Sequence, residues 1–199
     1  MFAEMLKSLL TPRYDVVGTV TDGLTLLEAA RQLQPDVVVL DIGMPQLNGL
    51  DAGLQIKKSM PAIKLIFLTM NLDPYLVRQA IRIGASGFLL KQGTANELPE
   101  AIEKVMCGGS YVTPAAAKAL DRLSELEPAN HNEAPQPTAR QREVIQLLAE
   151  GQSMKQVADI LNITPRTVAA HKYAAMELLQ IKSSAELVQY ALRSGMIYH

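Results

Sequence analysis

The chain has 199 residues, 19 Lys and Arg against 20 Asp and Glu for a formal net charge of −1, and 48% hydrophobic residues. That length allows one large or two small domains, each able to bury its own core. No run approaches the roughly 18 apolar residues of a membrane span, no secretory signal begins at Met1, and the single cysteine, Cys107, excludes an intramolecular disulfide and gives no metal site. The expectation is a soluble, cytoplasmic protein in which Cys107 is an inert, partly buried thiol.

In chain order, Phe2, Met5, Leu6 and Leu9 fall at helical spacing. The run Tyr14 to Val20 reads as a strand, and Leu24 to Leu33 as a helix. The apolar run Val37-Val38-Val39-Leu40 reads as a strand buried on both faces and ends at Asp41. A helix over Leu50 to Ser59 follows, then a strand Lys64 to Leu68 that runs into Thr69. Pro74 to Ile83 is the next helix, with Pro74 suited to a first turn. Gly87 to Leu90 is a strand running into Lys91, and Leu98, Ala101, Ile102 and Val105 mark a helix in which Pro99 must occupy the first turn to be tolerated. Strands alternating with helices predict a parallel sheet with helices on both faces.

Three of these strands deliver a carboxylate, a hydroxyl and an ammonium to their carboxyl ends, where doubly wound sheets place reactive groups. Taken singly, a carboxylate after a strand is most often a turn former or helix cap. Together, Asp41, Thr69 and Lys91 supply a nucleophile, a hydrogen-bond donor and a cation for phosphoryl oxygens. Their order, with Met44-Pro45 and Gly49, Gly84-Ala85-Ser86-Gly87 and Phe88, resembles the receiver domain of bacterial response regulators over residues 1–107. The resemblance implies a flavodoxin-like receiver in which a sensor histidine kinase phosphorylates Asp41, Lys91 pairs with the phosphoryl group, Thr69 bonds it and Phe88 moves to follow Thr69.

Residues 108–136 read as a helix, Ala- and Leu-rich over Pro114 to Leu126, leading into a linker over Glu125 to Pro137 that carries three prolines and a solvated His131. Beyond it the strand signals stop. Gln141 to Glu150 forms a helix ended by Gly151. Ser153 caps a second helix carrying Val157, Ala158 and Leu161, and Asn162-Ile163 makes a tight turn. Thr164 caps a third helix with Pro165 at its first position, running to about Leu179, and Ser184 to Ser194 forms a fourth, stopped by Gly195. Two short helices joined by a tight turn at about 153–172 form a helix-turn-helix candidate.

Thr138-Ala139-Arg140-Gln141-Arg142-Glu143-Val144, Leu148-Ala149-Glu150-Gly151 and Thr164-Pro165-Arg166-Thr167-Val168 with His171-Lys172 look like the LuxR/NarL-type DNA-binding domain, a resemblance that covers about residues 134–199 and implies a domain over 137–199. The whole chain is thus expected to be α/β plus all-α, a receiver followed by a four-helix DNA-binding domain. Residues 137–199 hold seven Lys and Arg against five Asp and Glu, a modest net +2, so affinity for promoter DNA should lean on a homodimer and on charge placement. The resemblance implies DNA contacts from Arg166, Thr167, Ala169, Ala170, His171, Lys172 and Tyr173, a dimer seam at Leu187, Val188 and Ala191, and RNA polymerase as a further partner. Glu177 and Leu178 depart from the basic residues usual further along that helix.

Two rival functions remain. A hydrolase with an aspartyl-phosphate intermediate would need a second Asp two residues after the nucleophile, where Gly43 stands. A regulator whose receiver serves dimerisation alone, without phosphate, has a stronger basis. Receivers begin with a strand that occupies the middle of the sheet and ends in an acidic pair holding Mg²⁺, whereas this chain starts within what should be the first helix. Asp15 and Asp22 cannot replace the pair. The expectation is therefore a receiver truncated by its first strand, with Asp41 the lone metal-side carboxylate, Mg²⁺ bound weakly or not at all, exposed strand edges, and slow phosphorylation or none.

Overall fold

The computed structural model describes residues 2–70, 73–118 and 136–197. Its sheet has four parallel strands in the order β1 (Val37–Asp41), β2 (Lys64–Thr69), β3 (Gly87–Leu90) and β4 (Tyr111–Val112). The register sets Asp41 beside Leu68 and Thr69 beside Leu90. The strand ends that carry Asp41, Thr69 and Lys91 therefore share one edge of the sheet.

Successive strand side chains point to opposite faces, and here both faces are covered. On one, Val38, Leu40, Leu65, Phe67 and Phe88 pack against α2 (Gly23–Leu33), α3 (Gly49–Ser59) and α4 (Pro74–Ile83) through residues such as Leu26, Ile56 and Val77. On the other, Ile66, Leu68 and Leu89 meet Leu98, Ala101, Ile102 and Val105 of α5 (Thr94–Met106), with Phe2, Leu6 and Leu10 of α1 (Phe2–Leu10) alongside. This two-sided burial explains why β2 is apolar without alternation, and each fully buried aliphatic or Phe side chain stabilises by about 1.5–3 kcal/mol.

Three expectations need correction. Residues 15–20 have no regular structure and join no ladder. An apolar β pattern becomes a strand only beside a neighbour to pair with, and the strand that receivers place between this segment and β1 is not among the described residues. The segment is instead tied down at its ends, where the Tyr14 hydroxyl donates to the Pro99 carbonyl at 3.2 Å and Val20 packs on the first cluster. Secondly, Pro99 lies inside α5, past its first turn. It removes the bond that the residue 95 carbonyl would accept, but Ala95 is exposed, so water can take that place. Lastly, Cys107 is exposed, in the turn that follows α5.

Residues 114–118 begin a further helix, α6. The remainder of the helix expected there, most of the linker and His131 lie outside the described residues. The second domain comprises α7 (Ala139–Ala149), α8 (Met154–Leu161), α9 (Pro165–Leu178) and α10 (Ser184–Arg193). Capping boxes open α7 (Thr138 with Gln141) and α8 (Ser153 with Gln156), each satisfying two backbone donors reciprocally. Asn162, at φ 51°, ends α8 in the left-handed conformation, and Thr164 caps α9 two residues later. Val144, Leu147, Val157, Leu161 and Val168 fill the core between α7, α8 and α9, while Ile145, Ala175, Leu187, Ala191 and Met196 form a second cluster under α10. Among the described residues, no helix is long and apolar enough to cross a membrane.

Candidate functional site

Asp41 is the last residue of β1, and Lys91 opens a 3₁₀ turn directly after β3. The Lys91 ammonium donates to Asp41 Oδ2 as an ion pair, and the Gly43 amide donates to Oδ1 at 3.1 Å. The carboxylate keeps 29% of its side-chain surface open. Lys91 is the less exposed partner, with its Nζ 5.2 Å from the centre of the Phe2 ring, so α1 helps to fix the cation beside the Asp41 carboxylate. Thr69 is fully buried at the end of β2. Phe88 is also fully buried, in register with Phe67 and Val112. Carboxylate and ammonium thus meet at one end of the sheet, with Thr69 at the end of the strand between them, an arrangement suited to accepting a phosphoryl group and offsetting part of its charge.

A divalent cation is another matter. Among the described residues no group of three His, Cys, Asp or Glu side chains could hold a metal ion, and both Asp41 oxygens already accept hydrogen bonds. This donor set does not fit a Mg²⁺ site.

On the second domain, α9 turns Val168 and Ala175 into the core and leaves Arg166, Ala170 and Tyr173 exposed, Tyr173 by 61%. Those positions follow the i, i+4, i+7 spacing of one helix face. Thr167, Ala169, His171 and Lys172 are half-buried around it. Thr167 bonds the Thr164 cap through both its amide (3.2 Å) and its hydroxyl (2.8 Å), so it belongs partly to the helix start. Lys172 leans toward α10, with its Nζ 3.5 Å from Ser184 Oγ. An outward, unobstructed face on the second helix of a helix-turn-helix is the geometry that enters a DNA groove.

Residues 1–103 match the family model for the response regulator receiver domain, and residues 137–191 that for bacterial regulatory proteins of the luxR family. The chain belongs to the response regulators. It is 34% identical to the response regulator GacA of Pseudomonas aeruginosa over 92% of this chain and 85% of that protein. It is likewise 34% identical to the oxygen regulatory protein NreC of Staphylococcus carnosus over 92% of this chain and 87% of the other. Among solved structures, RcsB from Salmonella enterica serovar Typhimurium, bound to the rprA promoter in the presence of phosphomimetic BeF3−, matches 96% of this chain and 92% of its own at 26% identity, with a TM-score of 0.56. This protein is therefore a DNA-binding transcription regulator of a two-component system, with a receiver followed by a LuxR-type helix-turn-helix domain. Receivers of this kind normally use Mg²⁺.

The expected dimer seam of the response regulator is only partly available. Leu187 and Ala191 are buried inside the second domain against Ile145, Ala175 and Met196, and of the three seam residues only Val188 keeps part of its surface open. Leu187 and Ala191 of α10 thus belong to the domain's own core.

One set of residues escaped the sequence reading. Asn48 and Asp51, buried at the start of α3, face Arg142 and Gln146 of α7 across the two domains. Arg142 holds Asp51 as an ion pair, its Nε donating to the two carboxylate oxygens at 2.7 and 3.0 Å. Burial would depress the guanidinium's pKa, but the hydrogen bonds and charge of Asp51 raise it above its ordinary value. The available signal was a polar stripe of Arg142, Gln146 and Glu150 spaced four residues apart along α7. Polar stripes usually face water, and nothing in the sequence says that this one does not.

Proposed function

We propose that Asp41 is the residue a sensor histidine kinase phosphorylates, and that its phosphorylation governs binding of the second domain to promoter DNA. The observation that carries the reading is the Asp41–Lys91 pair at one end of the sheet, with Thr69 ending the strand between them. A carboxylate oxygen attacks the phosphorus of the donor phosphohistidine, the P–N bond breaks, and the released imidazole nitrogen takes a proton. Lys91 offsets the charge on the transferred phosphoryl oxygens, Thr69 donates a hydrogen bond to them, and Phe88 follows Thr69. Arg166, Thr167, Ala169, Ala170, His171, Lys172 and Tyr173 face promoter DNA, in keeping with the promoter-bound state of RcsB. The regulator works in the cytoplasm as a homodimer that engages RNA polymerase, and it acts by binding rather than as an enzyme. Gly43 leaves no acid where an aspartyl-phosphate hydrolase needs one.

Replacing Asp41 by Asn, isosteric but not nucleophilic, abolishes labelling by a small-molecule phosphodonor and leaves the fold intact. Label persisting on the variant overturns the assignment. A second reading is a regulator that binds DNA without phosphate and uses its receiver to dimerise. It is favoured by the donor set around Asp41, which leaves a phosphoryl dianion without a metal to offset its charge. On that ground Mg²⁺ binds weakly and labelling is slow; rapid Mg²⁺-dependent labelling of residues 1–199 rules this out.

A further inference from the structure

We propose that α9 reads thymine C5-methyl groups in the major groove through an exposed apolar strip of Ala170, Tyr173 and Ala174, with Arg166 reading a guanine beside them. The inference deepens the reading of α9 as the helix that faces promoter DNA and rests on it.

Helical spacing builds the strip. Ala170, Tyr173 and Ala174 stand at i, i+3 and i+4 and are all exposed, while Val168 and Ala175 turn into the core. Arg166 lies one turn before Ala170 and Glu177 one turn after Tyr173, both exposed on the same side. One positive and one negative charge leave this outward face without net charge. Lys172, the other Lys or Arg of α9, leans toward α10, its Nζ 3.5 Å from Ser184 Oγ and 5.7 Å from the centre of the Tyr173 ring. It braces the ring from the flank and still leaves Tyr173 61% exposed.

A neutral face gains little from phosphates. Phosphate contact falls to Lys172 at the flank, and the centre of the face must draw its affinity from base edges. In the major groove guanine offers two acceptors to an Arg fork, adenine and cytosine offer amines, and thymine alone offers a methyl group. Alanine methyls and the carbons of a tyrosine ring give nothing to an amine and pack on that methyl. Alanine is also the best helix former, which explains a solitary exposed alanine, but not a largely exposed ring set between two of them. At about 1.5 Å per residue, Arg166 to Ala174 covers about 12 Å, or about three to four base steps of about 3.4 Å. Glu177 lies about 16 Å beyond Arg166, past that span, where its carboxylate opposes the phosphates and confines reading to the first turns of the helix. The half-site is therefore short, with adjacent thymines next to a guanine.

The test uses the full chain. A preferred sequence is selected from a random duplex library at low salt, and binding is then measured to that duplex with single thymines replaced by deoxyuridine, which removes only the methyl. Each methyl lost from a contact should weaken binding by about fourfold, at adjacent positions. Cytosine placed at a sensitive thymine should bind more tightly when it is 5-methylcytosine, because the methyl returns to the same place in the groove. Tyr173→Phe should keep the sensitivity to deoxyuridine, and Tyr173→Ala, an exposed helix position where Ala is favoured, should lose it at one thymine. Arg166→Ala should relax the preference for one guanine by about tenfold. Deoxyuridine without effect, while these α9 variants still weaken binding, overturns methyl reading alone. A Tyr173→Phe variant that behaves like Tyr173→Ala also overturns it, by placing the hydroxyl on the base. If Arg166→Ala and Tyr173→Ala bind every sequence as wild type does, or the library yields no enriched sequence, the reading of α9 as the DNA-contacting helix falls as well. Loss of self-association in Tyr173→Ala with DNA binding unchanged overturns the inference by giving the strip to a second copy.

Discussion

Replacing Gly49 by alanine probes how closely α3 is seated on the end of β1 at Asp41. A Cβ at this position would lie 2.1 Å from the Asp41 carbonyl oxygen, 2.9 Å from its carbon and 3.0 Å from the Ile42 Cα. All three are backbone atoms, so no side-chain rotation relieves the clash, and ordinary C···O contact is at about 3.3 Å. The start of α3 must move away from β1 by about 1 Å, stretching the 2.8 Å bond from the Gly49 amide to the Ile42 carbonyl. Overpacking of this sort costs about 1–3 kcal/mol and the weakened bond about 1 kcal/mol, while the helical preference of Ala over Gly returns about 1 kcal/mol. The net expectation is a loss of about 2 kcal/mol, measured by urea unfolding, together with slower phosphodonor labelling of Asp41. Gly108→Ala is the control: its φ of +85° gives strain, with nothing within 4 Å of the added carbon, so it costs about 1 kcal/mol and leaves labelling unchanged. Stability of Gly49→Ala within about 0.5 kcal/mol of wild type would refute the proposed seating.

Leu187→Ala, at a core position 2% exposed, should destabilise the second domain by about 2–5 kcal/mol; a loss of self-association at unchanged stability would return Leu187 to the dimer seam. Lys172→Ala should weaken DNA binding about equally across sequences and lower the salt slope by about 1, whereas an effect confined to one operator position would show that it reads a base. Burial, then the neighbouring Tyr75, raise the Tyr190 pKa, with Arg142 partly opposing. Its contribution to stability is therefore complete below the unfolded value of about 10 and declines as pH rises through the folded value. Unfolding measured across that alkaline range should show a shallower decline for Tyr190→Phe, and superimposable curves would rule out Tyr190 as a contributor.

The strand ends were legible because chemistry and pattern coincide there: the apolar runs before Asp41, Thr69 and Lys91 are β1, β2 and β3, and the helix from Pro74 to Ile83 has the bounds its residues suggested. Caps made α8 and α9 equally clear, since Ser153, Asn162 and Thr164 act locally. Local signals failed where structure depends on distant neighbours. Tyr14 to Val20 has strand composition but no ladder. Tyr111–Val112 is a strand of two residues, assigned by pairing with β3 rather than by any pattern of its own. The apolar stripe of α10 could not disclose whether it meets its own domain or a second copy. The contact between Asn48 and Gln146 spans 98 residues of sequence.

Much of what α7 touches on the loop after β1 belongs to the main chain: the carbonyl of Met44 and the amides of Gln46 and Asn48. Every non-proline residue carries those groups. The side chain at 46 can thus drift over evolutionary time without erasing the joint, provided the path of the loop is kept, whereas that of Met44 is held by the receiver's core; Gln46, at φ 63°, is a place where that path is demanding. Selection on the receiver's half of the joint falls on shape, while on α7 it falls on the identity of Gln146 and Arg142. Covariation between the two halves would accordingly gather at positions 51 with 142, 55 with 143 and 48 with 146, where side chain meets side chain, and stay faint at residue 46.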